Sequence, residues 1–176
     1  MAIQIKSQEE IAKMRIAGQL ACDVLEMITP FVKAGITTNE LNTLCADYTE
    51  NVQDAISAPL NYHGFPKSIC TSVNYVVCHG IPDDTKLVDG DIINIDITVI
   101  KDGYHGDTSK MFLIGDVSPE DNRLCRLAQE SLYIGLKKVK PGATFGEIGS
   151  AIQKFIKSKG RYSIVKDYCG HGIGKE

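Results

Sequence analysis

The stretch from Ile92 to Phe112 constrains this chain more than any other. Ile92-Ile93-Asn94-Ile95-Asp96-Ile97-Thr98-Val99-Ile100 alternates aliphatic and polar residues, and Tyr104-His105-Gly106-Asp107-Thr108-Ser109-Lys110-Met111-Phe112 follows after Lys101-Asp102-Gly103. Asp-Gly between two such runs signals a two-residue hairpin. Strand alternation puts Ile93, Ile95, Ile97 and Val99 on one face and Asn94, Asp96 and Thr98 on the other. Counting back from the turn pairs Thr98 with Asp107. Asp96 then lies diagonally across from Asp107 on the polar face, roughly 7–8 Å away at the backbone. Carboxylates that close repel unless a proton or a metal sits between them. Two readings fit the pair. It is the solvated face of an edge hairpin, or it is part of a metal site if other ligands converge there.

The chain has 176 residues, enough for one domain with a real core. Its 19 basic and 22 acidic side chains leave a net charge of −3, and no basic block marks a nucleic-acid site. No run approaches the length of a membrane span, and the first residues lack the apolar stretch of a signal peptide. Six cysteines lie at positions 22, 45, 70, 78, 125 and 169 with no Cys-x-x-Cys pair. Free thiols in a reducing cytoplasm are the expectation, and a structural zinc site is not.

One unit occurs twice. Val32-Lys33-Ala34-Gly35-Ile36-Thr37-Thr38-Asn39-Glu40-Leu41 and Val139-Lys140-Pro141-Gly142-Ala143-Thr144-Phe145-Gly146-Glu147-Ile148 share Val-Lys-x-Gly-x-Thr-x-x-Glu followed by an aliphatic. Gly35 and Gly142 suit left-handed helix ends. Thr37 with Glu40, and Thr144 with Glu147, are capping boxes that open the next helix. A helix precedes each copy, one starting near Ser7 with Glu10, the other at Ser118-Pro119. After its helices the first unit passes into strands: Ser68–Val73, Val76–Cys78 and the hairpin. The second reaches Tyr162-Ser163-Ile164-Val165 and then Cys169-Gly170-His171-Gly172-Ile173-Gly174. The organisation expected is a single α+β domain over 1–176, with 1–115 as a first half-repeat and 116–176 as the start of a second, incomplete one. Helices should lie outside a curved antiparallel sheet.

All four histidines precede glycine: His63, His79, His105 and His171. His105 reads as an exposed strand residue beside Asp107. His63 and His79 sit at loop edges. His171, in Gly-His-Gly-Ile-Gly, has unusual backbone freedom around it. Asp, Asp and His together would suit Mn, Fe, Co or Zn better than a thiolate-preferring metal.

Several separate blocks then carry a resemblance: Tyr62-His63-Gly64-Phe65-Pro66-Lys67-Ser68, Val76-Val77-Cys78-His79-Gly80-Ile81-Pro82, Gly90–Asp96, Gly103–Ser109 and Tyr168–Gly174. In these the chain resembles the type I methionine aminopeptidases of the creatinase/aminopeptidase superfamily, whose fold is called pita-bread. The resemblance runs from the first helix to Gly174. It implies that Asp96, Asp107 and His171 are metal ligands, with Asp107 bridging two divalent ions (Co, Mn, Fe or Zn). It implies that His79 contacts substrate at the scissile bond, that Tyr62, Phe65 and Cys70 line a methionine pocket, and that His63 lies at its rim. Pro59 departs from the small or thiol side chain common at the pocket edge. The family's second substrate histidine and its two glutamate ligands follow beyond Gly-Ile-Gly, and no residues here match them.

The reaction so implied removes the initiator methionine from nascent proteins when the second residue is small and uncharged. Aminopeptidases are already among the general cases of two-metal hydrolysis. The implied partners are N-terminal methionine peptides and, transiently, the ribosome; the implied state is cytoplasmic and, for a complete chain, monomeric, and the composition adds no membrane or nucleic-acid site. Without the further ligands the 176 residues are expected to be inactive alone. Two other readings stand beside this: a metal-free peptide-binding or ribosome-associated pita-bread module, and a fragment active only when mixed with a C-terminal piece.

Overall fold

A computed structural model of the chain describes residues 4–168 and 170–175. The chain divides into two compact units. The first runs to Val117 and takes in the segment from Gly172; the second is Ser118–His171.

In the first unit α1 (Gln8–Ile28) begins at a capping box, Ser7 with Glu10. A 3-10 turn over Thr29–Phe31 follows, where Pro30 has no N–H to continue the helix. Gly35 turns with φ +94°, and its N–H donates to the Leu87 carbonyl at 2.8 Å. The second capping box, Thr37 with Glu40, opens α2 (Thr38–Asp47). Both boxes and the left-handed glycine match the expectation.

The sheet is antiparallel: β1 (Ile56–Ser57), β2 (Cys70–Val73), β3 (Ile92–Lys101) and β4 (Tyr104–Leu113). β3 is its centre. β4 runs along one margin of β3 for its whole length. β1 and β2 share the other margin, β1 at Val99–Ile100 and β2 at Ile93–Asp96. The β3–β4 turn has φ +51° at Asp102 and +77° at Gly103, as a type I′ turn requires. Ile93, Ile95, Ile97 and Val99 are buried, while Asn94, Asp96 and Thr98 are only half-buried. The aliphatic face packs against Ala21, Val24, Leu25 and Ile28 of α1 and Leu41 and Cys45 of α2. Each fully buried isoleucine there stabilises by roughly 1.5–3 kcal/mol.

One expected strand is absent. Val76–Cys78 is irregular. Val76 turns back to bond Val73, and Gly80 returns alongside β2 by accepting from the Thr71 N–H. The outer margin of β2 at Thr71 is thus taken by a loop, which leaves Val76–Cys78 no ladder to join.

The second unit is α3 (Pro119–Leu136) and α4 (Phe145–Ser158). Ser118 caps α3 ahead of Pro119, and Thr144 and Glu147 form the third capping box. Gly142 turns with φ +85°. Arg123 donates to the Tyr162 hydroxyl and the Lys159 carbonyl, tying the segment after α4 to α3. Tyr162–Val165 carries no regular structure. Among the described residues no helix is long and apolar enough to cross a membrane.

Candidate metal and substrate site

The observed register pairs Thr98 with Asp107 and Asp96 with Ser109, as counted from the turn. Asp96 and Asp107 are therefore diagonal neighbours on the polar face of β3–β4. The His-Gly-Asp run has a packing reason. A Cβ at Gly106 would stand 2.1 Å from the Ala17 carbonyl oxygen, so only glycine lets β4 lie against α1 here. His105 and Asp107, one step to either side, fall on the opposite face.

Cys70 sits directly across from Asp96 on β2. Its side chain is buried. Burial first, and then Asp96, Cys78 and Asp107, push its thiol up to about 12. The thiol thus shares the polar face with both carboxylates.

The segment between β1 and β2 carries Tyr62, His63 and Phe65. It leaves the sheet where the Ala58 N–H donates to the Thr98 carbonyl (2.9 Å) and rejoins it at Cys70 opposite Asp96. Both ends are thus fixed beside the acidic stretch of β3. Between them Tyr62–Gly64 forms a 3-10 turn, with His63 left-handed at φ +47°. The Tyr62 and His63 rings meet edge-on, centroids 4.4 Å apart. Tyr62 is exposed and Phe65 half-buried; the half-buried Pro59 accepts from the Tyr62 N–H at 3.0 Å.

His79 is exposed and left-handed, φ +52°. Its position is set by Gly80, whose missing Cβ would lie 2.0 Å from the Thr71 carbonyl oxygen. Gly80 also donates its N–H to Ser72 Oγ at 3.2 Å. Downstream the same loop is locked to the start of α2. Asn39 N–H donates to the Asp83 carbonyl (2.8 Å) and Asp83 N–H to Thr38 Oγ1 (2.9 Å). Hydrogen bonds from Thr85 hold the Asp83 carboxyl below its ordinary range.

His105 departs from its reading as a bare strand residue. It is half-buried, and its N–H donates to the Gly174 carbonyl at 2.8 Å. Its partner is 69 positions away, and nothing local announces it. His171 is exposed and closes the second unit. Cys169, in the same glycine-rich run, lies outside the described residues. The described cysteines 22, 45, 70, 78 and 125 are free thiols. A cleft of about 510 Å³ in the second unit, edged by Lys138, Glu147 and Lys154, includes none of the site residues.

Among the described residues no group of three or more His, Cys, Asp or Glu gathers closely enough to hold a metal ion. Asp96 and Asp107 nonetheless fit a divalent cation in kind, being oxygen donors side by side on one polar face.

The family model for metallopeptidase family M24 matches residues 12–176. The chain is 62% identical to the methionine aminopeptidase of Escherichia coli K12 over 99% of its own length, and spans 66% of that protein, just under two thirds. The methionine aminopeptidase structure from Rickettsia prowazekii superposes with a TM-score of 0.96 at 51% identity, covering 99% of this chain and 70% of that one. The Xaa-Pro dipeptidase of Bacillus anthracis shares the fold at 24% identity and a TM-score of 0.82, covering 98% of this chain and 47% of that one. These likenesses bear out the α+β pita-bread fold. A match this long, on a chain whose acidic hairpin keeps its two carboxylates together, places the protein in metallopeptidase family M24, whose members use divalent metal.

Proposed function

We propose that this chain belongs to a methionine aminopeptidase, which hydrolyses the first peptide bond of chains that begin with methionine and a small, uncharged second residue. The observation that carries the reading is the diagonal placement of Asp96 and Asp107 on one polar face, with Cys70 opposite. Asp96, Asp107 and His171 are the proposed ligands, for two divalent ions drawn from Co, Mn, Fe or Zn. Such ions supply Lewis-acid polarisation of the scissile carbonyl and a water nucleophile at neutral pH.

The remaining roles belong to the chain's own groups. Cys70 is kept as a neutral thiol first by burial, which suits a pocket wall rather than a ligand, since metals take thiolate. With Tyr62 and Phe65 it offers an apolar, polarizable lining to an unbranched thioether, which needs no hydrogen bond. His63 stands at the rim. His79 is the hydrogen-bonding group assigned to the scissile bond, and the Gly80–Thr71 contact supports that role by fixing its backbone. A cytoplasmic protein, monomeric when complete, that meets nascent chains transiently at the ribosome completes the proposal.

The test has two arms. Calorimetric titration of the 176-residue chain with Mn or Co should show binding that Asp107→Asn removes. Methionine release from a Met-Ala peptide is then followed for the chain alone and mixed with the third of the E. coli protein it does not span. Release that requires a small second residue and Asp107 upholds the reading. No release in either format overturns it, and so does peptide binding indifferent to metal, as a metal-free module would show.

A further inference from the structure

We propose that His105 is a positioning residue: its side chain holds the glycine-rich segment that directly follows His171. The proposal rests on the reading of Asp96, Asp107 and His171 as metal ligands. His105 Nδ1 lies 3.3 Å from the Gly174 carbonyl oxygen, which already accepts the His105 N–H at 2.8 Å. A carbonyl can accept two such bonds but donates none, so the ring contact requires the proton on Nδ1.

The rest of the segment is fastened too. Gly174 is buried, and a Cβ there would meet Lys6 Cε at 3.0 Å and Nζ at 3.1 Å. Lys175 Nζ lies 3.7 Å from Glu10 Oε1 and 5.5 Å from the centre of the Tyr104 ring. The Tyr104 hydroxyl donates to that same Glu10 oxygen at 2.9 Å. With three glycines in five residues, Gly-His-Gly-Ile-Gly loses more backbone entropy on ordering than a run without them would. Holding it at Gly174 confines the backbone of His171 to within about 10 Å of that residue, by chain length alone. Sharing a face with Asp107, the imidazole fastens the acidic hairpin to the segment that follows the proposed third ligand in the chain.

The experiment uses the full chain, ¹⁵N-labelled, as wild type, His105→Leu and His105→Asn. Leucine removes the ring donor at similar bulk, and asparagine restores an N–H near Nδ1. Two readouts are followed: amide exchange at position 105, and Mn affinity read from broadening of His171. His105→Leu should speed exchange at least fivefold and weaken Mn about tenfold, the scale on which outer partners of ligands act. Exchange of Val24 and Leu25 in α1 should not change, and His105→Asn should recover most of both effects. Unchanged exchange and affinity in His105→Leu overturn the proposal. General opening of α1, or failure of asparagine to rescue, also overturns it, since either marks mere fold support. Absence of Mn binding in the wild type would instead sink the ligand reading, and the exchange rates alone would then decide whether the ring holds Gly174.

Discussion

The two helical pairs start from the same local instructions and end in different surroundings. Thr37–Glu40 and Thr144–Glu147 form matching capping boxes after matching left-handed glycines. Counting back from Gly35 and Gly142 aligns Leu25 with Leu132 and Ala21 with Ala128. Leu25 is 6% exposed under the sheet, whereas Leu132 is 55% exposed. α1 buries Ala17, Ala21, Val24, Leu25 and Ile28; α3 buries only Leu127 and Gly135. Capping decides where a helix begins, and a sheet decides whether its apolar stripe contributes to stability.

That contrast breaks most readily at the leucines. Leu25→Ala should cost about 2–5 kcal/mol in urea unfolding, as buried truncations do. Leu132→Ala should stay within roughly 0.5 kcal/mol, as exposed changes do. Equal costs would mean that the α3 stripe is covered in solution. The glycines sharpen the same point. Gly106→Ala drives a methyl onto backbone, 2.1 Å from the Ala17 oxygen, and should cost about 1–3 kcal/mol or more. Gly135→Ala meets the end of a flexible side chain, Ile152 Cδ1 at 2.8 Å, and should cost less by thermal denaturation.

Where the units agree, so should their variants. Thr37→Ala and Thr144→Ala should each lose about 1 kcal/mol, visible as fraying of the first turn by amide exchange. Unequal losses would show that tertiary contacts, such as those of α2 with Asp83 and Thr85, carry part of the first cap. The smallest effect is in pH. The Glu10, Glu40 and Glu147 carboxyls accept cap N–H groups, first among the causes that hold them below the ordinary 4.5. Their contribution is complete above that value and fades as pH falls through the lower folded values. Circular dichroism between pH 5 and about 3 should show helix loss that the Glu40→Gln and Glu147→Gln variants blunt.

The parts legible in the sequence are those with short-range causes. The Asp102-Gly103 turn, the pairing of Thr98 with Asp107, the buried isoleucine face and the starts of α1, α2, α3 and α4 follow from neighbouring residues and strand or helix period. Two features were not legible because their causes lie far along the chain. Val76–Cys78 reads as a strand until Gly80 occupies the edge at Thr71. His105 reads as a surface residue until Gly174 arrives at its ring. Of the site, the acidic pair could be placed from spacing and His171 was a candidate partner from its glycine-rich setting, whereas the roles of Tyr62, His63, Phe65, Cys70 and His79 entered only through family resemblance.

The shared margin of β3 has an evolutionary consequence. The aromatic loop is footed independently at Thr98 and at Asp96. Insertions or deletions between those footings can therefore reshape what the loop greets without shifting either carboxylate. Under the roles proposed for them, the loop and the carboxylates hang on one strand by separate hooks, so a lineage could retune the first while leaving the second untouched.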